Sequence, residues 1–458
     1  MKRRKTWAIV LAAAFVAQAG RASGVADPFV EGPVPYSVGV WGFPWASVPD
    51  PAELTDSGYT EAEFFFAGTV PTAIGSQPYK SRMIVRRPSD PARFNGTVAV
   101  EWLNVTVGAD LGVDWALTRR QIVRDGYAYV GVTAQPLGVC WLKLWDSVRY
   151  ATLTHPALLP GPCPVRDDIE TYSFDIFSQA GRAVRNDPAI LGGLAATRLV
   201  AVGASQSAKR LRDYVNTYQA AAGIYDGFLI HVLTAGGLIA NTDARVLILN
   251  SENEVLINYP LRGLQPANVR YWEVAGAGHT PETTYIAQQS QRGGITPGFN
   301  CNYPPSDDVI PMYPVGDAAL DAMNRWISEG TSPPGSPLVT VLPGTPNVIA
   351  RDEYGNALGG IRLPQIEVPI GRFVGTNTPT TALLCRSSGG FDSFDGQPAG
   401  TTPNDAWDEP TIDVLYPNHG SYVFAFVQAV DDLVRAGFML AADAEIAKAE
   451  AARSQNGK

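Results

Sequence analysis

Charge, histidine and cysteine are all scarce in this 458-residue chain, and each scarcity excludes something. Charged residues make up 17% of the chain against 45% hydrophobic, a balance typical of compact folded proteins and not of disordered ones. The formal charge is −9 and no basic stripe is present, so neither nucleic acid nor an anionic membrane is expected as a partner. The four cysteines, Cys140, Cys163, Cys301 and Cys385, are spaced too widely for a CxxC metal site. Beyond the N-terminus no apolar run is long enough to span a bilayer, so membrane insertion is not expected. Internal repeats and low-complexity tracts are lacking too. What the chain does have is glycine (45) and proline (36), which suits a fold with many turns and long ordered loops.

The first residues read as a secretory signal. Lys2, Arg3, Arg4 and Lys5 form a basic region, Trp7 to Val16 a short apolar one, and Ala17-Gln18-Ala19 a small-x-small cleavage site. Gly24-Val25-Ala26 is a second candidate site, so a signal peptide over 1–26 is expected, cut after 19 or 26. The mature protein would then be secreted or periplasmic. Loss of those four basic residues takes the charge to −13 (−9 minus 4). Export permits disulfides, and proximity favours Cys140–Cys163 and Cys301–Cys385, with buried free thiols as the alternative.

From about residue 82 a strand–helix alternation sets in. Arg82–Arg86, Gly96–Leu103 and Tyr127–Thr133 read as strands, as do Arg198–Gly203, Gly227–Leu233, Arg245–Asn250 and Val269–Val274. Several are nearly unbroken apolar runs, the pattern of a sheet buried on both faces. Helical spacing appears over Asp114–Arg124, Ser173–Val184, Gln206–Tyr218, Asp317–Ser328 and Tyr422–Arg435. A mostly parallel central sheet covered by helices follows, in an α/β fold with long inserted loops. Before it lies a Pro- and Gly-rich stretch with one strand-like run, Glu63-Phe64-Phe65-Phe66. After about 331 the pattern changes to loops and short strands, read as a C-terminal extension of a single domain spanning 27–458.

The sharpest local signal is Gly203-Ala204-Ser205-Gln206-Ser207. An apolar strand runs into Gly-x-Ser-x-small and a helix starts at once, which is how a nucleophilic serine is presented on a tight, strained turn. Ser207 stands where glycine is commoner. A rival, Gly330-Thr331-Ser332, is followed by two prolines and opens no helix. Serine needs a base to take its proton, and only four histidines exist. His279 follows a strand in the small-residue loop Ala275-Gly276-Ala277-Gly278 and fits the order serine, acid, histidine. His155 precedes the serine, His231 lies inside an apolar strand, and His419 is a late rival. For the acid, the turn Ser251-Glu252-Asn253-Glu254 offers Glu254 first and Glu252 close behind, with Asp243 third. An oxyanion hole would use the backbone N–H of Gln206 and one from Asn104 or Val105. Trp102, Trp141 and Trp145 are candidates for the pocket lining, with plain core packing the equal alternative.

With these residues in hand, the chain resembles a family of bacterial and fungal proteins known as alpha/beta hydrolase domain-containing proteins. The resemblance covers most of the mature chain. It rests on Glu101-Trp102-Leu103-Asn104-Val105, Gly126-Tyr127-Ala128-Tyr129-Val130-Gly131-Val132 with Ala134-Gln135, and Leu142-Lys143-Leu144-Trp145-Asp146 with Arg149-Tyr150. Further matches are Gly203-Ala204-Ser205-Gln206-Ser207, Ser251-Glu252-Asn253-Glu254, Trp272-Glu273-Val274-Ala275-Gly276 with His279, Gly359-Gly360-Ile361-Arg362-Leu363-Pro364 and Tyr416-Pro417-Asn418-His419. It implies an α/β-hydrolase fold, a triad on Ser205 and His279, acids at both Glu252 and Glu254, and a C-terminal part belonging to the same domain.

The expected activity is hydrolysis of a small carboxylic ester through an acyl-enzyme, with no metal or organic cofactor. An amidase, peptidase or acyltransferase would use the same triad, and a non-catalytic binding protein is the remaining alternative. A carboxylate-nucleophile enzyme is excluded by serine at position 205.

Overall fold

The computed structural model describes residues 24–40, 51–159, 161, 171–234, 237–240, 243–292, 301–381, 383–394 and 410–458. The expected leader before residue 24, and Cys163, lie outside the described residues. Strand propensity and burial produce β1 (Phe29–Glu31), β2 (Tyr59–Thr72), β3 (Gly75–Pro88), β4 (Thr97–Trp102), β5 (Ala128–Val132), β6 (Arg198–Ala204), β7 (Gly227–His231), β8 (Arg245–Ser251) and β9 (Val269–Val274). They join one sheet in the order β1-β2-β3-β5-β4-β6-β7-β8-β9. From β5 to β9 every neighbouring pair is parallel, while β1, β2 and β3 add antiparallel strands at one edge.

The apolar runs are explained by two cores, one on each face of the sheet. Ala99, Val200, Val202, Leu229, Leu247 and Leu249 point to one face. Their sequence neighbours Val100, Leu199, Ala201, Phe228, Ile230 and Ile248 point to the other. The first face is covered by the helices Val113–Arg124 and Tyr313–Glu329, the second by Tyr172–Asn186 and Gln206–Thr217. With both faces dry, side chains at every position of β4, β5 and β7 are buried, and the alternation expected of a half-exposed sheet is lost.

Several elements escaped the sequence reading, among them the helices Pro136–Trp145 and Thr283–Arg292. β2 and β3, of 14 residues each, form a hairpin pairing Tyr59 with Pro88 through to Thr72 with Gly75, of which only Glu63–Phe66 and Arg82–Arg86 were expected. Gly68, Pro71, Gly75 and Pro78 break the strand pattern there, and the sheet tolerates them because this hairpin lies toward its edge. The helix Ala441–Arg453 was also missed: its apolar stripe is mostly alanine and too weak to register as periodic.

Residues after 331 pack on the first face. Ile361 continues the sheet past β9 through Ile361 N–H to Glu273 O (2.7 Å) and Ala275 N–H to Ile361 O (3.0 Å). Phe438 meets Trp272 edge-on, ring centroids 5.0 Å apart. A disulfide joins Cys301 to Cys385, as proximity suggested. Cys140 is also disulfide-bonded. Truncating the buried Phe438→Ala leaves a cavity against Trp272, and a loss of about 3–5 kcal/mol is expected, read as a lowered midpoint in denaturant or thermal unfolding.

Candidate active site

Three loops at the carboxyl ends of β6, β8 and β9 meet at one point. At the first, Ser205 adopts φ 60° and ψ −114°, a conformation costing an ordinary residue about 1–3 kcal/mol. The surroundings enforce it. Ser205 N–H donates to His231 O (3.0 Å) on β7, and Asn104 Nδ2 donates to Ala204 O (3.0 Å) just before it. Gly203 must be small: a Cβ there would sit 3.0 Å from Leu211 Cδ1 and 3.2 Å from Ser207. The fully buried Ser207 fits in the glycine's usual place, with its hydroxyl making no hydrogen bond.

At the second loop, Ser251 caps a one-turn 3-10 helix, Glu252–Glu254. Ser251 N–H (3.0 Å) and its hydroxyl (2.6 Å) both donate to Glu254 Oε2. The other oxygen, Oε1, is thereby aimed at His279 Nδ1, 2.7 Å away. At the third, β9 ends in Gly276, whose φ of +70° turns the chain, and Gly278, where a Cβ would lie 2.5 Å from Ser388 C. The loop delivers His279 with Nε2 2.8 Å from Ser205 Oγ. Ser205, His279 and Glu254 thus form one continuous hydrogen-bonded chain.

Glu252 points the opposite way. Its Oε2 accepts from Gly276 N–H (2.7 Å), and its Oε1 accepts from Arg351 (2.7 Å) and Gly375 N–H (3.2 Å). Asp243 is exposed and lies before β8, at the strand's amino end. The other histidines are elsewhere. His155 is buried beside Ser173, and burial pulls it down to about 3. His419 faces the carbonyls of Asn456 and Ala452 among the C-terminal helices.

Ser205 and His279 open onto a cavity of about 420 Å³. Its walls are apolar around Leu111, Val113, Val232 and Ile286, with Asn104 and Arg386 at polar points. The three tryptophans offered for the lining are not among the described residues there. Trp102 is on the face of β4 that packs against Phe174 and Phe177, and Trp141 stacks on Trp145 in a separate cluster. In a strand one residue's shift swaps faces, so proximity to Asn104 in sequence did not decide which way Trp102 points.

A family model described as an alpha/beta hydrolase domain matches residues 30–449. The chain belongs to that family. Its fold is the α/β-hydrolase fold, and solved structures resemble parts of it. The esterase Est22 is 12% identical, covering 54% of this chain and 81% of its own, with a TM-score of 0.33. An α/β serine hydrolase without a lid from Xanthomonas campestris is 10% identical over 50% and 90%, TM-score 0.30. A glucuronoyl esterase from Solibacter usitatus is 12% identical over 46% and 53%, TM-score 0.26. No curated relative matches.

Close to the Ser205 turn, this alpha/beta hydrolase carries a buried polar cluster on β4, β5, β7 and the helix Val113–Arg124. Glu101 accepts from Asp114 N–H (3.0 Å), Trp115 N–H (2.9 Å) and Tyr129 OH (2.7 Å). Burial, and then the neighbouring Asp114, push Glu101 up to about 8, and burial raises Asp114 well above its usual range. His231 Nδ1 lies 3.3 Å from Asp114 Oδ1, while burial pulls the imidazole down to about 3. Burial thus disfavours charge on both partners of the contact. The apolar strand pattern pointed to a buried structural His231, as found, but nothing in the sequence paired it with Asp114.

One of the hydrolase's sequence signals could have been read further. Ser251-x-x-Glu254 is a capping-box pattern, and it points to the acid whose carboxyl folds back on Ser251. Glu252 is the acid that remains. Replacing it with alanine leaves Arg351 without its partner and Gly276 and Gly375 N–H unmet, so Glu252→Ala is expected to cost about 3–5 kcal/mol in chemical denaturation.

Proposed function

We propose that this alpha/beta hydrolase is a serine hydrolase acting on carboxylic esters, with Ser205 as nucleophile, His279 as base and Glu254 as the orienting acid. The observation that carries the reading is the 2.8 Å contact between Ser205 Oγ and His279 Nε2, backed by Glu254 at 2.7 Å from Nδ1. A serine hydroxyl is a weak nucleophile until a base removes its proton. As Oγ attacks the ester carbonyl, the proton passes to His279 Nε2, and Glu254, held by Ser251, stabilises the imidazolium. The oxyanion is received by Gln206 N–H at the start of the helix Gln206–Thr217 and by Val105 N–H. Asn104 is the weaker choice of the two, because its N–H donates to Leu111 O (3.0 Å). His279 then returns the proton to the departing alcohol, and a water activated by the same imidazole releases the acyl group as the carboxylic acid.

The protein is further proposed to be exported, to the periplasm or medium. The basic and apolar N-terminal pattern supports this, and so does the Cys301–Cys385 disulfide, since such bonds persist mainly in oxidising compartments. No described helix is long and apolar enough to cross a membrane.

The test is a fluorophosphonate probe together with a panel of aryl esters of increasing acyl length. Labelling confined to Ser205 and release of phenol are expected. Ser205→Ala, which removes one oxygen, should fold normally and lose turnover by about four orders of magnitude or more. Retained esterase activity in that variant would sink the reading. Glu254→Gln should keep the fold but lose roughly 10⁴-fold in kcat, because an amide favours the wrong imidazole tautomer. Parallel assays with an anilide and an added alcohol distinguish an esterase from an amidase or acyltransferase.

A further inference from the structure

Among the described residues lining the cavity beside Ser205, Arg386 is the only lysine or arginine. Most of the arginines in this acidic protein are engaged: Arg82 with Asp110, Arg351 with Glu252, Arg372 with Asp392. The guanidinium of Arg386 makes no hydrogen bond or ion pair with any described residue, although it is exposed to the cavity's solvent.

Its backbone, by contrast, is held firmly. Arg386 belongs to the short helix Leu383–Ser388, which the Cys301–Cys385 disulfide ties down. Asn253 Nδ2 donates to Arg386 O (3.0 Å), and Thr280 N–H donates to Ser387 O (2.8 Å). Asn253 adjoins Glu254 and Thr280 adjoins His279. The backbone of the arginine is therefore tied to the segments that carry the acid and the imidazole.

We propose that Arg386 recognises a carboxylate on the leaving alcohol of the substrate, which makes this an esterase for anionic alcohols. The inference rests on the serine-hydrolase reading. In that reaction the alcohol departs beside the imidazole that protonates it, so a group on the histidine wall meets the leaving group and not the acyl chain. A guanidinium presents a planar fork of donors that matches a carboxylate with two parallel hydrogen bonds. In a cavity with apolar walls the paired charges are less screened than in open water, and the arginine loses no existing partner on binding. A neutral alcohol of the same shape would leave that fork unmatched, so discrimination by charge follows.

The experiment compares two isosteric esters with the full mature chain: 4-carboxyphenyl butyrate, anionic at neutral pH, and 4-carbamoylphenyl butyrate, neutral. The wild-type protein should favour the anionic ester in kcat/KM. In Arg386→Gln the ratio of anionic to neutral kcat/KM should fall about tenfold, the range expected for loss of a charge-assisted hydrogen bond. Arg386→Lys, which keeps the charge and loses the fork, should recover part of the ratio, and the wild-type preference should weaken as salt is raised. A ratio unchanged in Arg386→Gln overturns the inference while leaving the hydrolase reading intact. Failure of Ser205 to take the fluorophosphonate label in the wild-type protein overturns both.

Discussion

The turn that follows β8 directs three side chains in three directions, and the separate parts of the protein meet there. Ser251 folds Glu254 back on itself, so that one carboxylate oxygen is spent on the turn and the other is aimed at His279. Glu252, two residues earlier, faces away and gathers Gly276, Arg351 and Gly375. Asn253, between them, reaches Gly375, Thr376 and Arg386. Four consecutive residues thereby fix the histidine's orientation, the start of the histidine loop, and the attachment of the C-terminal extension. Their spacing in a single helical turn makes the opposed directions unavoidable.

The C-terminal extension is accordingly part of the site. It supplies the helix Leu383–Ser388, which forms one wall of the cavity and abuts Gly278 so closely that no side chain fits between them. It also completes the core over β9, where Phe438 and Trp272 pack together. Burial of those rings and of the Glu252–Arg351 pair binds the extension to the sheet by two different means. The apolar contact supplies most of the free energy, whereas the ion pair mainly penalises any arrangement that leaves its carboxylate alone.

Strain and burial divide the labour around Ser205. The unfavourable φ at Ser205 persists because the loop after β4, β6 and β7 hold the turn through Asn104, Ala204 and His231. Close to that turn, Glu101, Asp114 and His231 are dry enough that charge is disfavoured on each. Glu254 is the carboxyl in contact with the His279 ring, so in the proposed mechanism a charge forming on the imidazole is answered from that side.

The sequence by itself determined the parallel sheet, the elbow at Ser205 and the loop bearing His279. Each depends on local chemistry: apolar runs of strand length, small residues flanking a serine, glycines before a histidine. It left Glu252 and Glu254 undecided, although the capping pattern at Ser251 held a clue, because two acids in one turn differ only in which way the backbone faces them. Trp102 and Trp141 drew attention by composition, yet the pleat and a separate cluster turned them from the cavity. The β2–β3 hairpin, the His231–Asp114 contact and the Arg386 wall were decided by tertiary structure alone. The last two join residues far apart in sequence, through burial or a disulfide, whereas the hairpin joins consecutive strands whose glycines and prolines mask the pattern and are tolerated toward the sheet's edge. The cost of bringing distant segments together is met by the whole core and not by any local motif.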